Sequence, residues 1–278
     1  MSRRNDLESQ RHSLDEISEI MNAMKTLAYM ETRKLMDFID AQQAVVNNME
    51  AAATDFLSFH NHLLPNINAE VSVYLLIGTE RGFCGDINQH LLRQFETIFR
   101  QKSPLSTPKL IVVGRKLQLL LDNDKRVTAL IKGASVAEDV ASVLEEVTQQ
   151  LEKLQIQFGA LNVYGLYQED NSNITVKKLL PPFLSLKNTG VSFSHPPLLN
   201  LTPAEFLLAL TEHYLLAALH EILYTSLMAE NHRRLAHLDG AVQYLEEESQ
   251  QLLRRSNTLR QEEITEEIEV ILLSADSV

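Results

Sequence analysis

Cysteine is almost missing from this chain. Cys84 stands alone, so no internal disulfide can form, and an oxidising compartment is not implied. Basic residues are in deficit: 25 Lys and Arg face 37 Asp and Glu, leaving a net charge of −12. That balance argues against a nucleic-acid partner, because neutralising phosphates takes a surplus of cations. No uninterrupted apolar run approaches the ~18 residues of a membrane-crossing helix. FLLAL and YLLAAL are broken by Thr211, Glu212, His220 and Glu221, so no direct membrane span is expected. The first residues lack the apolar core of a secretory signal, and Asp6, Glu8, Asp15 and Glu16 argue against a transit peptide. The last scarcity is positional. Residues 1–64 hold no glycine or proline, and after Pro203 there is no proline and a single glycine, Gly240.

Two terminal stretches so poor in helix breakers predict two overlong helices. In the C-terminal one, Leu219, Ile222, Leu223, Leu227, Leu235, Leu238, Val242, Leu245, Leu252, Leu259, Ile264, Ile268 and Ile271 recur at helical spacing. Unbroken, it would reach on the order of 100 Å at 1.5 Å per residue. A helix of that length needs a partner helix to cover its stripe. The N-terminal stretch supplies one: Leu14, Ile17, Ile20, Met21, Met24, Leu27, Ala28, Leu35, Phe38 and Ile39 form its stripe. Ser13 and Glu16 match a capping box, which predicts a firm start at Ser13, and Pro65 is the first break.

The middle of the chain has another texture. Val71–Ile77, Leu110–Val113, Leu161–Tyr167 and Ile174–Leu180 read as strands. Between them Ile87–Arg100, Arg115–Leu121 and Val136–Phe158 read as helices, so the insert is predicted to be a parallel or mixed sheet with crossover helices. Pro181-Pro182 and Pro196-Pro197 bracket a loop-rich link back to the last helix. The expected division is 1–64 helix, 65–200 central α/β domain and 201–278 helix. Hydrophobic content of 45% fits a folded chain.

The sharpest local signal is the turn GTERGFCGDINQHLL, residues 78–92. Three glycines between a strand and a helix could cradle a phosphate on backbone amides, but the spacing matches neither common phosphate-binding motif. The structural alternative has Gly82 and Gly85 permit a tight connection, with Asp86 as N-cap. Cys84 is expected to be a small buried residue, since none of the histidines is placed as its base. His60 and His62, and His213 and His220, lack metal-ligand spacing, so no metal and no cofactor is expected. The acidic runs Glu246–Glu248 and Glu262–Glu267 read as solvated faces. His232-Arg233-Arg234 and Arg254-Arg255 read as cationic patches for acidic protein surfaces. No catalytic constellation assembles.

Three regions together resemble the gamma subunit of the F-type ATP synthases. Ile20, Ala23-Met24-Lys25 and Ala28 are similar to the family's first-helix segment. Arg81-Gly82-Phe83-Cys84-Gly85 and Asn88 resemble its R-G-L-C-G-x-x-N turn. Asn257, Arg260-Gln261, Ile264-Thr265, Glu267 and Ile271 resemble its N-x-x-R-Q-x-x-I-T-x-E-x-x-E-I segment, and Glu230, Arg234, Leu238 and Ala241 fall at the spacing of the stretch before it. Departures include the displaced Lys34-Leu35, Leu238-Asp239, and Leu273-Ser274-Ala275 where S-G-A is usual. The resemblance implies an antiparallel coiled coil around a Rossmann-like α/β domain. It implies a non-catalytic rotor shaft that meets the alpha and beta subunits of the catalytic ring, the epsilon subunit and the membrane c-ring. It places the protein peripherally on the cytoplasmic face of the inner membrane. It further implies partner contacts at Met24, Lys25, Arg260, Gln261, Thr265 and Glu267, with Arg81, Gly82, Cys84, Gly85 and Asn88 as a structural turn. Two other readings compete: a nucleotide-binding α/β enzyme with a helical arm, and a self-associating coiled-coil scaffold.

Overall fold

The computed structural model describes residues 2–64, 71–102, 107–169, 173–184, 186 and 195–275. The break at Pro65 lies outside the described residues, as does part of the link between Pro182 and Pro196; so do the side chains of Leu273-Ser274-Ala275. The elements in order are α1 (Ser2–His60), β1 (Val71–Ile77), α2 (Ile87–Lys102), β2 (Lys109–Val113), α3 (Arg115–Gln118), β3 (Val127–Ile131), α4 (Val140–Phe158), β4 (Leu161–Gln168), β5 (Ile174–Leu180) and α5 (Pro203–Ala275). The fold is therefore α/β, with long first and last helices. The chain divides into two compact units, one of residues 30–234 and one of residues 1–29 with 235–278.

The larger unit is built on a five-stranded sheet in the order β3-β2-β1-β4-β5. β1 pairs in parallel with β2 and with β4, β2 pairs in parallel with β3, and β5 runs antiparallel along β4. β1 is buried on both faces, which explains why VSVYLLI reads as a near-continuous apolar run. Its side chains alternate: Val73, Leu75 and Ile77 join one core, Tyr74 and Leu76 the other. The first core takes Val140, Val143, Val147 and Leu151 from α4, Leu35, Val46, Ala53 and Phe56 from α1, and Leu219, Ile222, Leu223 and Leu227 from α5. The second takes Leu91 and Phe95 from α2 and Leu117 from α3. Within this unit α1 and α5 run antiparallel: Phe38 stacks on Tyr224 at 5.3 Å, the Tyr214 hydroxyl donates to Glu50 at 2.9 Å, and Phe56 meets Phe206 at 4.9 Å.

The smaller unit is a pair of helices, again antiparallel. Arg4 faces Glu263 at 3.4 Å, Ser249 donates to Asp15 at 2.8 Å, and Lys25 pairs with Asp239. Ala28, Leu238, Val242 and Leu252 are buried.

Four expectations need correction. α1 runs through Ser13, whose hydroxyl donates back to the Ser9 carbonyl at 3.2 Å, so no helix starts there. β3 has no counterpart among the expected strands, because its apolar run, Ala129–Ile131, is only three residues long. The apolar stripes are only partly covered: Ile17, Ile20, Leu27, Ile264, Ile268 and Ile271 are exposed. The physical reason at the C-terminal end is register. With Arg4 opposite Glu263, the residues after Glu263 run past the beginning of α1. Finally, α5 does contain a segment long and apolar enough, by length and composition, to cross a membrane. Its inward face is the row Leu219, Ile222, Leu223 and Leu227 buried against the sheet, as in a core helix.

Candidate functional site

The turn leaving β1 sits at the carboxyl edge of the parallel strands. β4 returns on the side of β1 opposite to β2, so the connections diverge at this point. In open α/β sheets such a point is where ligands bind. Glycine is required here for close approach. A Cβ on Gly78 would lie 2.5 Å from Asn88 Oδ1 and 2.5 Å from Leu117 Cβ. Gly114, after β2, has φ +102°, and a Cβ there would come within 2.7 Å of the Gly78 carbonyl oxygen. The strand ends are thus in backbone contact.

Asn88, at the start of α2, reaches back to close the turn. Its Oδ1 accepts the Thr79 amide at 3.0 Å, and its Nδ2 donates to Thr79 Oγ1 at 2.8 Å. Asp86 immediately precedes α2; its backbone carbonyl accepts the His90 amide at 2.9 Å, and its carboxylate faces Arg93 at 3.6 Å. Gly85 and Phe83 both adopt left-handed backbone, at φ 64° and 62°. For a phenylalanine that conformation carries strain, and surrounding contacts must hold it. Phe83 is nonetheless half exposed, at 49%.

The holding contacts come from α5. The Glu230 carboxylate accepts the backbone amides of Glu80 at 3.1 Å and Arg81 at 3.2 Å. The Arg234 guanidinium pairs with Glu230, donates to the Gly82 carbonyl at 3.3 Å and to Asn231 at 2.7 Å, and lies 3.5 Å from the Cys84 sulfur. Both side chains of the pair are only 5% exposed. Burial pushes the Glu230 carboxyl upward, while Arg234 and the two amides pull the other way. A second carboxylate, Glu80, accepts the amides of Arg115 at 2.9 Å and Gly133 at 2.8 Å, tying together the ends of all three parallel strands on this side. The amides of Thr79, Glu80, Arg81, Arg115 and Gly133 are therefore occupied by the chain's own side chains. The nucleotide-binding reading loses those five donors.

Cys84 is buried, its thiol directed to the carbonyls of Gly82 at 3.2 Å and Arg81 at 3.6 Å. Burial, helped by the Glu230 charge, pushes that thiol up to about 12, so it is not a thiolate nucleophile at neutral pH. Among the described residues, no group of three His, Cys, Asp or Glu is placed to hold a metal ion.

The structure brings Arg81, Gly82, Cys84, Gly85 and Asn88 together in this turn, with Arg81 exposed on its surface. The other site residues lie apart, in the helical pair. Met24 is half-buried and Lys25 is engaged by Asp239. Arg260, Gln261, Thr265 and Glu267 are exposed, and the Thr265 hydroxyl turns back to the Gln261 carbonyl at 2.9 Å. One reading is overturned: Arg234 is no surface cation for an acidic partner, because Glu230, four residues earlier on the same face, takes it inward. A signal for this was present. Glu230 and Arg234 continue the inward row of Leu219, Leu223 and Leu227 at spacings of three and four, and Leu238 follows. An opposite-charge pair set into an apolar row belongs to the interior.

A profile of the family described as ATP synthase matches residues 3–278. The chain belongs to this family. Among its relatives, the ATP synthase gamma chain of Clostridium beijerinckii is 27% identical over 274 residues, covering 94% of this chain and 93% of that one. The gamma chain of Bifidobacterium longum subsp. infantis is 23% identical over 301 residues, covering 98% and 96%. In fold, a chain of the Euglena gracilis mitochondrial ATP synthase (OSCP, F1 and c-ring) superposes with a TM-score of 0.62 at 15% identity, covering 99% of this chain and 94% of its own. The ATP synthase gamma subunit is a stalk component without catalysis of its own. The self-filled turn described above is in keeping with that.

Proposed function

We propose that this chain is the central rotor shaft of an F-type ATP synthase, coupling rotation of the membrane c-ring to ATP synthesis or hydrolysis in the alpha/beta ring. The single observation that carries the reading is the family match over nearly the whole chain. The two helices, paired antiparallel in each unit, support a coiled coil as the shaft, and the parallel sheet with helices on both faces supports a Rossmann-like domain as its base. In this reading 1–64 and 201–278 are the helices of the shaft and 65–200 is the α/β domain. The epsilon subunit and the c-ring are the partners of the α/β domain in this reading, and the protein is peripheral on the cytoplasmic face of the inner membrane.

A shaft works as a cam. Its asymmetry switches the catalytic subunits among states by rigid-body contact, with no bond made or broken on it. The contact zone in this reading is Arg260, Gln261, Thr265 and Glu267, with Met24 and Lys25 on the opposite helix. Exposure of Arg260 and Gln261, and of Ile264, Ile268, Val270, Ile271 and Leu272 beside them, supports it, since apolar surface gathered on one helix end marks a place for another protein. Co-purification tests the reading. Tagged chain should bring down an alpha/beta ATPase, and Arg260→Ala with Gln261→Ala should weaken retention about ten-fold, the effect of losing one charged hydrogen bond. A chain that purifies alone, or a double variant retained like wild type, would reject the shaft or the contact zone respectively.

A further inference from the structure

The apolar contacts hold α5 to the sheet by its buried face, and hydrogen bonds add a defined partner for each group. The row Leu219, Ile222, Leu223 and Leu227 buries surface, and burial is non-directional. Hydrogen bonds are directional and resist twisting. Two polar ties join α5 to the sheet strands or their connecting turns. One is the Lys177–Glu221 ion pair at 2.5 Å, on the edge strand β5. The other is the double clamp on the turn after β1, where Glu230 takes the amides of Glu80 and Arg81 and Arg234 takes the Gly82 carbonyl.

The place of this clamp is also particular. Arg234 is the last residue of the sheet-containing unit, and α5 continues from it into the helical pair as one helix. Load carried by α5 itself passes this clamp on leaving the sheet-containing unit; α1 is the other path, passing between the units at residues 29–30. The choice of residues fits the same purpose. A buried ion pair stabilises a fold little better than apolar residues of the same size, so stability alone does not explain one set into an apolar row. Geometric definition does: two side chains four residues apart fix one turn of α5 to three consecutive residues of the βα turn.

We infer that Glu230 and Arg234 are positioning residues for rotary coupling, a torsional lock that makes the α/β domain and helix α5 turn as one body. They touch no substrate and act through the turn they hold. The inference rests on the rotor reading above, and its test separates the two. The whole ATP synthase complex is reconstituted in sealed vesicles with wild-type chain, Arg234→Ala, Arg234→Lys or Glu230→Gln, and ions pumped per ATP hydrolysed are measured. That ratio is independent of how much complex assembles. Wild-type vesicles that hydrolyse ATP without pumping would reject the rotor reading itself.

With wild type pumping, the lock predicts that Arg234→Ala and Glu230→Gln keep ATP hydrolysis within about two-fold while the ratio falls at least about five-fold, the lower end for coupled sites. Arg234→Lys, which keeps the charge and loses the fork, should recover part of the ratio. Amide exchange at Glu80 and Arg81 in the same complexes should rise in parallel. An unchanged ratio in Arg234→Ala and Glu230→Gln overturns the inference. So does failure of all three variants, Arg234→Lys included, to assemble, since that would make the pair a folding element only.

Discussion

Replacing Arg234 by alanine should be among the most damaging single changes in this chain. The guanidinium and the Glu230 carboxylate are each only 5% exposed, so the pair is cut off from water. Deleting one member leaves the other as a buried charge, which costs about 3–5 kcal/mol. The Gly82 carbonyl and the Asn231 side chain lose their donor as well. For a chain somewhat larger than 250 residues, ~2–4 °C of melting temperature is lost per kcal/mol, so a fall of roughly 6–20 °C is expected. Thermal unfolding of the purified chain followed by circular dichroism at pH 7 reads this directly. The decisive step is a second substitution. Glu230→Gln removes the stranded charge and keeps an acceptor oxygen for one of the two amides, that of Glu80 or that of Arg81. The double variant should therefore be more stable than Arg234→Ala alone by about 1 kcal/mol or more. If Arg234→Ala costs under about 1 kcal/mol, or if Glu230→Gln makes it worse, the charge is not stranded and the argument from burial fails.

Other outcomes follow from the same reasoning. Lys25→Ala should cost under about 1 kcal/mol in the same melt, because Lys25 and Asp239 are 39% and 51% exposed and water screens them. Gly114→Ala should cost roughly 1–3 kcal/mol or more, since its backbone is left-handed and the new Cβ meets the Gly78 carbonyl. Cys84 should resist alkylation in the folded chain at pH 8.5 and react once guanidinium unfolds it; rapid reaction of the native protein would contradict its burial and raised thiol. Burial also raises Tyr167 and Tyr214 above the ordinary tyrosine value, so the folded state keeps protons that the unfolded chain releases. Stability should be unaffected by these groups below pH ~10 and fall as pH climbs past it, which chemical denaturation in alkaline buffers measures.

Much of the fold was legible because its strands and helices announce themselves by period. β1, β2, β4 and β5 lie within a residue of their expected bounds: the first three are largely buried and carry apolar runs, while the edge strand β5 is marked by its β-branched start, Ile174, Thr175 and Val176. β3 escaped because it is an edge strand in which Val127, Ala129 and Ile131 alternate with exposed Thr128 and Leu130 after a charged turn. Ser13 misled because a serine inside a helix can satisfy itself on the carbonyl four residues back as readily as it can cap a start. The turn was visible as glycines, but its occupants were not. Glu230 and Arg234 stand about 150 residues downstream of it, and local sequence carries no record of which carboxylate a pair of amides will receive. The basic cluster around Arg234 pointed outward only while its residues were weighed by charge and not by their place in the apolar row.

Rotation itself is the most direct test. Since Cys84 is buried and alone, a cysteine placed at Ile156, which is 79% exposed on α4, gives a unique handle for a bead on a complex immobilised through its catalytic ring. On adding ATP, the bead is predicted to turn continuously in one direction, and to stop when ATP is removed. A complex that hydrolyses ATP at the wild-type rate while the bead only fluctuates about a fixed angle would contradict the account.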